Sequence, residues 1–430
     1  MRLTAFPGGP LTGDAAIPGD KSCSHRALIL GAMAKGETRI SGLLESEDVL
    51  TTARAVDAFG ARVEKAGDEW VVQGTAWSSP EAAVDCGNSG TAVRLLMGAV
   101  AGMPRVRATF TGDASLASRP MRRVTAPLER MGAIIEGEGR LPITVEGAQL
   151  GGIEHRNLPA SAQVKSAILL AGVGTSAPVT VIEPVPSRDH TEIMLAAFGC
   201  QVGLDDTPDG WLVSFGEKRA LRGCDLAIGA DPSSAAFPLV AAAIVPGSEV
   251  VVRGMLVNPL RTGLYETLET MGADIELSSE RIQSGEIVAD MTVRHAGLRP
   301  CHVDAAQIPA MIDEIPALAV ACAFADGESV IQGLGELRAR ESDRLGAIVA
   351  GLTACGVSAL ADGDTLRIFG RGWVRGGARI ATLGDHRIAI AFLTLGLAGD
   401  QPVEVDEAEM IGTSFPGFVE VLRSLGADIG

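Results

Sequence analysis

Six times along this chain an amphipathic helical pattern ends on a glycine set between apolar residues. The six places read Phe59-Gly60-Ala61, Met131-Gly132-Ala133, Phe198-Gly199-Cys200, Met271-Gly272-Ala273, Cys355-Gly356-Val357 and Leu425-Gly426-Ala427. They recur about seventy residues apart, a period that marks stacked like units. Before the glycine the spacing is helical: Leu264, Thr267, Leu268 and Met271 run i, i+3, i+4, i+7, as do Phe418, Val421, Leu422 and Leu425. The glycine ends the helix in a left-handed conformation. A hairpin follows, as in 61–64 with 69–73, 134–136 with 143–146, and 357–360 with 365–369.

A second helix series alternates with the first and is apolar all round: 27–34, 92–101, 164–172, 235–244, 315–325 and 388–398. Such helices belong in a core. Each leads to a β-branched strand such as 179–182 or 249–252. One unit therefore reads strand–helix–strand–helix–strand–strand, and the chain holds six, an α/β (mixed α+β) pattern. The sixth stops early at Gly430. The N-terminus carries the missing pieces, strands over 2–6 and 15–17, so residues 1–19 are expected to complete it. Three units per domain then predict a discontinuous domain of 1–19 plus 230–430 and a second domain of 20–229.

Composition narrows the function. The 430 residues are 47% hydrophobic and 21% charged, a globular balance. Aromatics are only 4%, which leaves little surface for stacking bases. The formal net charge of −17 repels nucleic acid and anionic membranes, so neither is an expected partner. An anionic substrate must be caught by a local basic cluster. Seven cysteines and six histidines are scattered without metal-ligand spacing, so neither a metal nor another cofactor is expected. No targeting segment or span of ~20 apolar residues is visible, and the expectation is a cytoplasmic monomer working on small molecules.

The basic residues gather at helix entrances. The apolar series opens with Asp20-Lys21-Ser22, Gly87-Asn88-Ser89-Gly90-Thr91, Ser161-Ala162-Gln163-Val164-Lys165, Asp231-Pro232-Ser233-Ser234, Met311-Ile312-Asp313-Glu314 and Gly384-Asp385-His386-Arg387. The amphipathic series opens with Ser118-Arg119-Pro120, Ser187-Arg188-Asp189, Pro259-Leu260-Arg261 and Arg340-Glu341-Ser342-Asp343-Arg344. Asp20 or Ser22 caps the first helix, and Pro120 suits a first helical position. A helix N-terminus attracts anions through its free N–H groups and dipole. Stability alone favours Asp or Glu there, so Arg119, Arg344 and Arg387 at such ends point to an anionic ligand. Alone, each is an ordinary helix start; the repetition suggests a cleft lined by two sets of N-termini. Asp313 and Glu341 are candidates for proton transfer. Asp304, Asp343 and Asp385 read as caps or arginine orienters.

Six motifs in order resemble the 5-enolpyruvylshikimate-3-phosphate synthase family. They are Pro-Gly-Asp-Lys-Ser-Cys-Ser-His-Arg (18–26), Gly-Asn-Ser-Gly-Thr (87–91), Gly-Asp-Ala-Ser-Leu-Ala-Ser-Arg-Pro-Met (112–121), Ser-Ala-Gln-Val-Lys-Ser (161–166), Arg-Glu-Ser-Asp-Arg (340–344) and Asp-His-Arg (385–387). Ser-Arg-Asp-His-Thr (187–191) and Thr-Ser-Phe-Pro (413–416) resemble the second, glyphosate-tolerant bacterial group. The resemblance implies a two-domain inside-out α/β barrel with three βαβαββ units per domain and an active site in the cleft between them. It implies transfer of the enolpyruvyl group of phosphoenolpyruvate to the 5-hydroxyl of shikimate 3-phosphate, with release of phosphate. Shikimate 3-phosphate would be held by Lys21, Ser22, Arg26, Ser161, Ala162, Gln163, Arg188, Asp313 and Arg340. Phosphoenolpyruvate would be held by Lys21, Asn88, Gly90, Arg119, Gln163, Arg344 and Arg387.

Asp313 would be the base on the hydroxyl, and Glu341 or Lys21 the acid at the methylene carbon. Four positions depart from the family's pattern. Arg340 replaces a lysine, Ala162 a second serine, and Glu336 a frequent asparagine. Thr413 stands where the other group has a lysine. Gly90 lacks the methyl that tolerant members carry, so competitive inhibition by glyphosate is expected. The rivals are the sister transferase acting on UDP-N-acetylglucosamine and a non-catalytic binder of anionic metabolites. The loop 112–119 lacks the sister family's cysteine.

Overall fold

The computed structural model describes residues 1–430. It contains six four-stranded sheets built on the strand–helix–strand–helix–strand–strand unit, three of them completed by a strand from a distant part of the chain. Within every sheet two strands pair in parallel and the second of them pairs antiparallel with a third; the third and fourth form a hairpin except in the sheet where Leu3–Phe6 and Asp428–Ile429, from the two chain ends, take those places. All six signature glycines adopt φ between +87° and +109°, the left-handed region that lets a helix stop and the chain turn into the hairpin.

The apolar helices are Lys21–Met33, Gly90–Ala101, Ala162–Val173, Pro232–Ile244, Ile315–Phe324 and His386–Ala398. Five of them begin ahead of the apolar run, because entrance residues such as Lys21 and Gly90 occupy the first turn. Every residue of Pro232–Ile244 is buried, as an all-round apolar face demands. In the C-terminal half this helix, Ile315–Phe324 and His386–Ala398 pack on one another and form the centre of the core.

Two compact units result. One comprises residues 1–18, 229–282 and 287–430, and the other residues 19–228 and 283–286. Each contains three sheets. The sequence did not place residues 283–286 with the second group. They form the tip of the long hairpin Asp274–Gln283 and Glu286–Arg294, where Ala227 N–H donates to Ser284 Oγ at 2.8 Å and His190 Nδ1 lies 2.5 Å from Glu286.

The N-terminal strands need a correction. Leu3–Phe6 completes the sixth sheet, pairing with Val403–Val405 and Asp428–Ile429. The next strand is Thr12–Asp14, not 15–17, and it pairs in parallel with Glu249–Leu256. The helix Lys21–Met33 therefore does not follow its own sheet's first strand in sequence; Asp225–Ala227 fills that place beside Gly36–Ser41. Pro120 is not helical. A short helix, Ala114–Ser118, precedes it, and the amphipathic helix starts at Arg122.

Close approach explains two glycines. Gly98 and Gly102, four residues apart, face Ala167 and Ala171 where Gly90–Ala101 packs on Ala162–Val173. A methyl group at Gly98 would sit 2.3 Å from the Ala167 carbonyl oxygen and 2.6 Å from its Cα, both backbone atoms. Gly98→Ala is expected to cost about 1–3 kcal/mol through overpacking. Denaturant midpoints would show it, and an unchanged midpoint would mean that the helices separate freely.

Candidate active site

The expected site residues fall into two groups, one on each compact unit. In residues 19–228, the Asp20 carboxylate caps the first helix, accepting from Cys23 N–H at 2.7 Å. Of the two possible caps it is therefore Asp20, which leaves Ser22 in the first turn. Lys21 Nζ lies 2.5 Å from Asp48 Oδ2, a partner the sequence did not reveal because Asp48 belongs to the following helix. Arg26 is buried one turn further in. Its Nε donates to Thr191 Oγ1 (2.7 Å), Nη1 to the Ser22 carbonyl (2.9 Å) and Nη2 to Ser166 Oγ (2.8 Å). All three acceptors are neutral, and burial pulls its pKa below the usual arginine value. Burial, helped by Lys21 and Arg26, pushes His25 well below the ordinary histidine value and keeps it neutral.

The Gly-rich entrance is held by side chains. Ser89 Oγ caps its helix, accepting from Ala92 N–H at 3.1 Å. Asn88 donates to Asp113 (2.7 Å) and accepts from Arg119 Nη2 (2.6 Å). Arg119 follows the end of helix Ala114–Ser118, so it does not stand at a helix start as the sequence suggested. Its guanidinium is brought to the entrance by Asn88 and by Ser115, which accepts at 3.1 Å. Arg94, absent from the expected set, donates from Nη1 to the Gly90 carbonyl (3.1 Å) and to Gln163 Oε1 (2.9 Å). Gln163 in turn donates to Thr91 (2.9 Å). Arg94 lies one helical turn beyond Gly90, and that i+4 spacing was its signal in the sequence.

Ser161 caps the third apolar helix, with Ala162 and Gln163 in its first turn, where backbone N–H groups lack helical partners. Arg188 is half-buried in the turn before His190–Ala197. Beneath them Lys165 is fully buried, its Nζ 2.7 Å from both Glu183 Oε2 and Glu192 Oε1. A lysine inside an apolar helix was the visible signal for this cluster.

Asp20, Cys23 and His190 offer ligand atoms within 4.8 Å of one another, the one such group in the molecule. It fits a metal ion poorly: Lys21 and Arg26 flank it on the same helix, Asp20 is used as a cap, and His190 is engaged by Glu286.

The second group lies in residues 229–430. Arg344, buried to 1% exposure, is its hub. Its Nε donates to Asp385 Oδ2 (2.8 Å), its Nη2 to Glu341 Oε2 (2.6 Å), and its Nη1 lies 3.5 Å from Asp313 Oδ1. Burial opposes the charge, but the three carboxylates outweigh it and raise the arginine's pKa. Burial alone would raise the Asp385 carboxyl, but the Arg344 charge holds it below the usual carboxylate range. Asp385 also caps its helix through the Arg387 N–H (3.0 Å), so it acts as cap and arginine orienter together. Asp343 caps Arg344–Ala354, and Asp304 forms a capping box with Gln307. Arg387 Nη1 donates to the Asp313 carbonyl (3.0 Å). Neither Arg387 nor Arg340 forms a salt bridge, and the buried Nε of Arg340 has no hydrogen-bond partner. Thr413 donates to the Met410 carbonyl within its own turn (2.7 Å).

The arrangement offers anions unneutralised guanidinium groups, with carboxylates nearby to move protons. The EPSP synthase (3-phosphoshikimate 1-carboxyvinyltransferase) family model matches residues 6–422. The 3-phosphoshikimate 1-carboxyvinyltransferase of Phenylobacterium zucineum is 52% identical over 432 residues, covering 99% of this chain and 95% of that one. The enzyme of the same name from Paracoccus denitrificans is 51% identical over 437 residues, covering 100% and 98%. The solved EPSP synthase from Acinetobacter baumannii superposes with a TM-score of 0.87 at 39% identity, covering 100% of this chain and 99% of that one. The enolpyruvyl transferase NikO from Streptomyces tendae shares the fold, with a TM-score of 0.80 at 19% identity and coverage of 100% and 98%. The chain belongs to the EPSP synthase family, the 3-phosphoshikimate 1-carboxyvinyltransferases.

Proposed function

We propose that the protein transfers the enolpyruvyl group of phosphoenolpyruvate to the 5-hydroxyl of shikimate 3-phosphate and releases phosphate. The observation that carries this is the set of arginines without carboxylate partners, Arg26, Arg340 and Arg387, in a chain of net charge −17. Acid residues are plentiful enough to pair them, so leaving them unneutralised favours two anionic substrates.

In this reading Lys21, Ser22, Arg26, Ser161, Ala162, Gln163, Arg188, Asp313 and Arg340 bind shikimate 3-phosphate. Lys21, Asn88, Gly90, Arg119, Gln163, Arg344 and Arg387 bind phosphoenolpyruvate. Asp313 takes the proton from the 5-hydroxyl, and the hydroxyl oxygen attacks the phosphoenolpyruvate carbon bearing the phosphate. Glu341 or Lys21 delivers a proton to the methylene carbon. The resulting tetrahedral ketal loses a proton and phosphate, restoring the double bond. Arg119, Arg344 and Arg387 stabilise the charge that develops on carboxylate and phosphate.

Coupled phosphate release with both substrates tests the reading. Turnover with shikimate 3-phosphate and none with UDP-N-acetylglucosamine is the expected result. The reverse preference would establish the sister activity, and binding without phosphate release a mere binder. No helix is long and apolar enough to cross a membrane.

Gly90 gives a further expectation. A methyl group there would lie 2.5 Å from Arg94 Nη1 and 3.3 Å from Arg119 Nη1. These are ends of flexible side chains, not rigid backbone, so the substitution is accommodated by moving the two arginines. Gly90→Ala is thus expected to raise the KM for phosphoenolpyruvate, and to raise the inhibition constant for glyphosate more. Equal inhibition constants for the two proteins would remove the crowding argument.

A further inference from the structure

Glu183 ends the strand Val179–Glu183, is fully buried, and accepts four hydrogen bonds. Asn157 Nδ2 (2.7 Å) and Ser187 Oγ (2.5 Å) bind Oε1, while Lys165 Nζ (2.7 Å) and Ser187 N–H (3.2 Å) bind Oε2. The donors do not stop at Glu183. Asn157 Nδ2 also reaches the Ser161 carbonyl at 3.1 Å, and Lys165 Nζ the Ser187 carbonyl at 3.1 Å. One carboxylate therefore fixes the turn that ends in Ser161 and the turn that continues into Arg188. Next to this cluster, Ser166 and Thr191 hydroxyls bond each other at 2.6 Å and accept from Arg26.

Stability alone does not call for this construction. A buried ion pair is a weak source of stability, since desolvation offsets most of the attraction. Lys165 already has Glu192 as a counter-ion at 2.7 Å. Glu183 adds a second buried negative charge, and its bonds go to the two turns that carry Ser161 and Arg188. Buried, fully bonded networks hold backbone in one arrangement.

We infer that Glu183 is a positioning residue for shikimate 3-phosphate, holding the Ser161 and Arg188 turns in one relative placement through Asn157, Lys165 and Ser187. This rests on the assignment of Ser161 and Arg188 to that substrate. None of the residues assigned to phosphoenolpyruvate bonds to Glu183, and Gln163, the one beside Ser161, is held by Arg94 and Thr91, so the two substrates should respond differently.

The test is steady-state kinetics with each substrate varied in turn, for Glu183→Gln, Asn157→Ala and Arg188→Ala, with thermal unfolding of each. Glu183→Gln and Asn157→Ala are expected to raise the KM for shikimate 3-phosphate about tenfold or more, as misplaced binding groups do, and to leave that for phosphoenolpyruvate close to wild type. Asn157→Ala removes the bonds that link Glu183 to the Ser161 carbonyl and keeps the Lys165–Glu183 pair, so it decides the matter should Glu183→Gln fail to fold. Unchanged values in folded variants, or equal rises for both substrates, would overturn the positioning role. A raised KM in Arg188→Ala beside unchanged values in the other two sinks the positioning role alone. An Arg188→Ala protein with wild-type KM for shikimate 3-phosphate sinks the substrate assignment, and the inference with it.

Discussion

Asp313→Asn is expected to lower turnover about 10²- to 10⁴-fold, the range for losing a general base, while both substrates still bind. The amide keeps the shape of the side chain and can still accept a hydrogen bond, but it cannot take a proton at neutral pH. The surroundings are built to hold Asp313 still. Arg344 Nη1 stands 3.5 Å from its Oδ1, and Arg387 donates to its carbonyl. Its side chain keeps 15% exposure, enough to meet a hydroxyl from outside. Single-turnover phosphate release would measure the effect free of product release. Near-wild-type rates would take Asp313 out of the mechanism and turn attention to Glu341.

Arg344→Met should produce the largest loss of stability. It leaves Asp385, Glu341 and Asp313 without the cation they share. Breaking a buried pair from one side costs about 3–5 kcal/mol, because an uncompensated charge stays behind. The pH dependence should reverse as well. In the wild type the folded-state pKa of Asp385 is depressed. Its contribution is therefore present above the unfolded carboxylate value of about 3.9 and is lost as pH falls through the lower folded value. In the variant the same buried carboxyl lacks its counter-charge, so burial raises its pKa. The folded state then binds the proton more tightly, and stability should rise as pH falls from 7 towards 5. Denaturant melts across that window would show this rise in the variant and no slope from Asp385 in the wild type, whose loss begins only below the unfolded value. Parallel slopes would mean that Asp385 is not governed by Arg344.

Arg119 shows why part of the site lay beyond sequence reasoning. Its place before Pro120 suggested a helix start, but the short helix Ala114–Ser118 lies ahead of it and the next helix begins at Arg122. The five-residue segment is too short for a periodic signal. Lys21 shows the same limit in a different way. Its position at a helix entrance was visible, but its partner Asp48 belongs to the next helix, and nothing local couples the two. Lys165 was visible as a charge in an apolar run. Burial demanded a counter-ion, but only the packing of strand Val179–Glu183 and helix His190–Ala197 supplied Glu183 and Glu192.

The sequence by itself determined the repeat, the alternation of apolar and amphipathic helices, the glycines that end them, and the hairpins that follow. Each of these is set by interactions a few residues apart: side-chain period, capping, and the freedom of glycine to take positive φ. It also singled out candidate site residues, because the motifs carry charged side chains where helix stability alone would not put them. The tertiary structure decided which strand heads which sheet, placing Thr12–Asp14 beside Glu249–Leu256 and Asp225–Ala227 beside Gly36–Ser41. It decided the strap of residues 283–286, and the carboxylate that each buried cation meets. Parallel pairing and buried ion pairs join segments far apart in the chain, and a strand's own pattern fixes which face is buried but not which neighbour lies beside it.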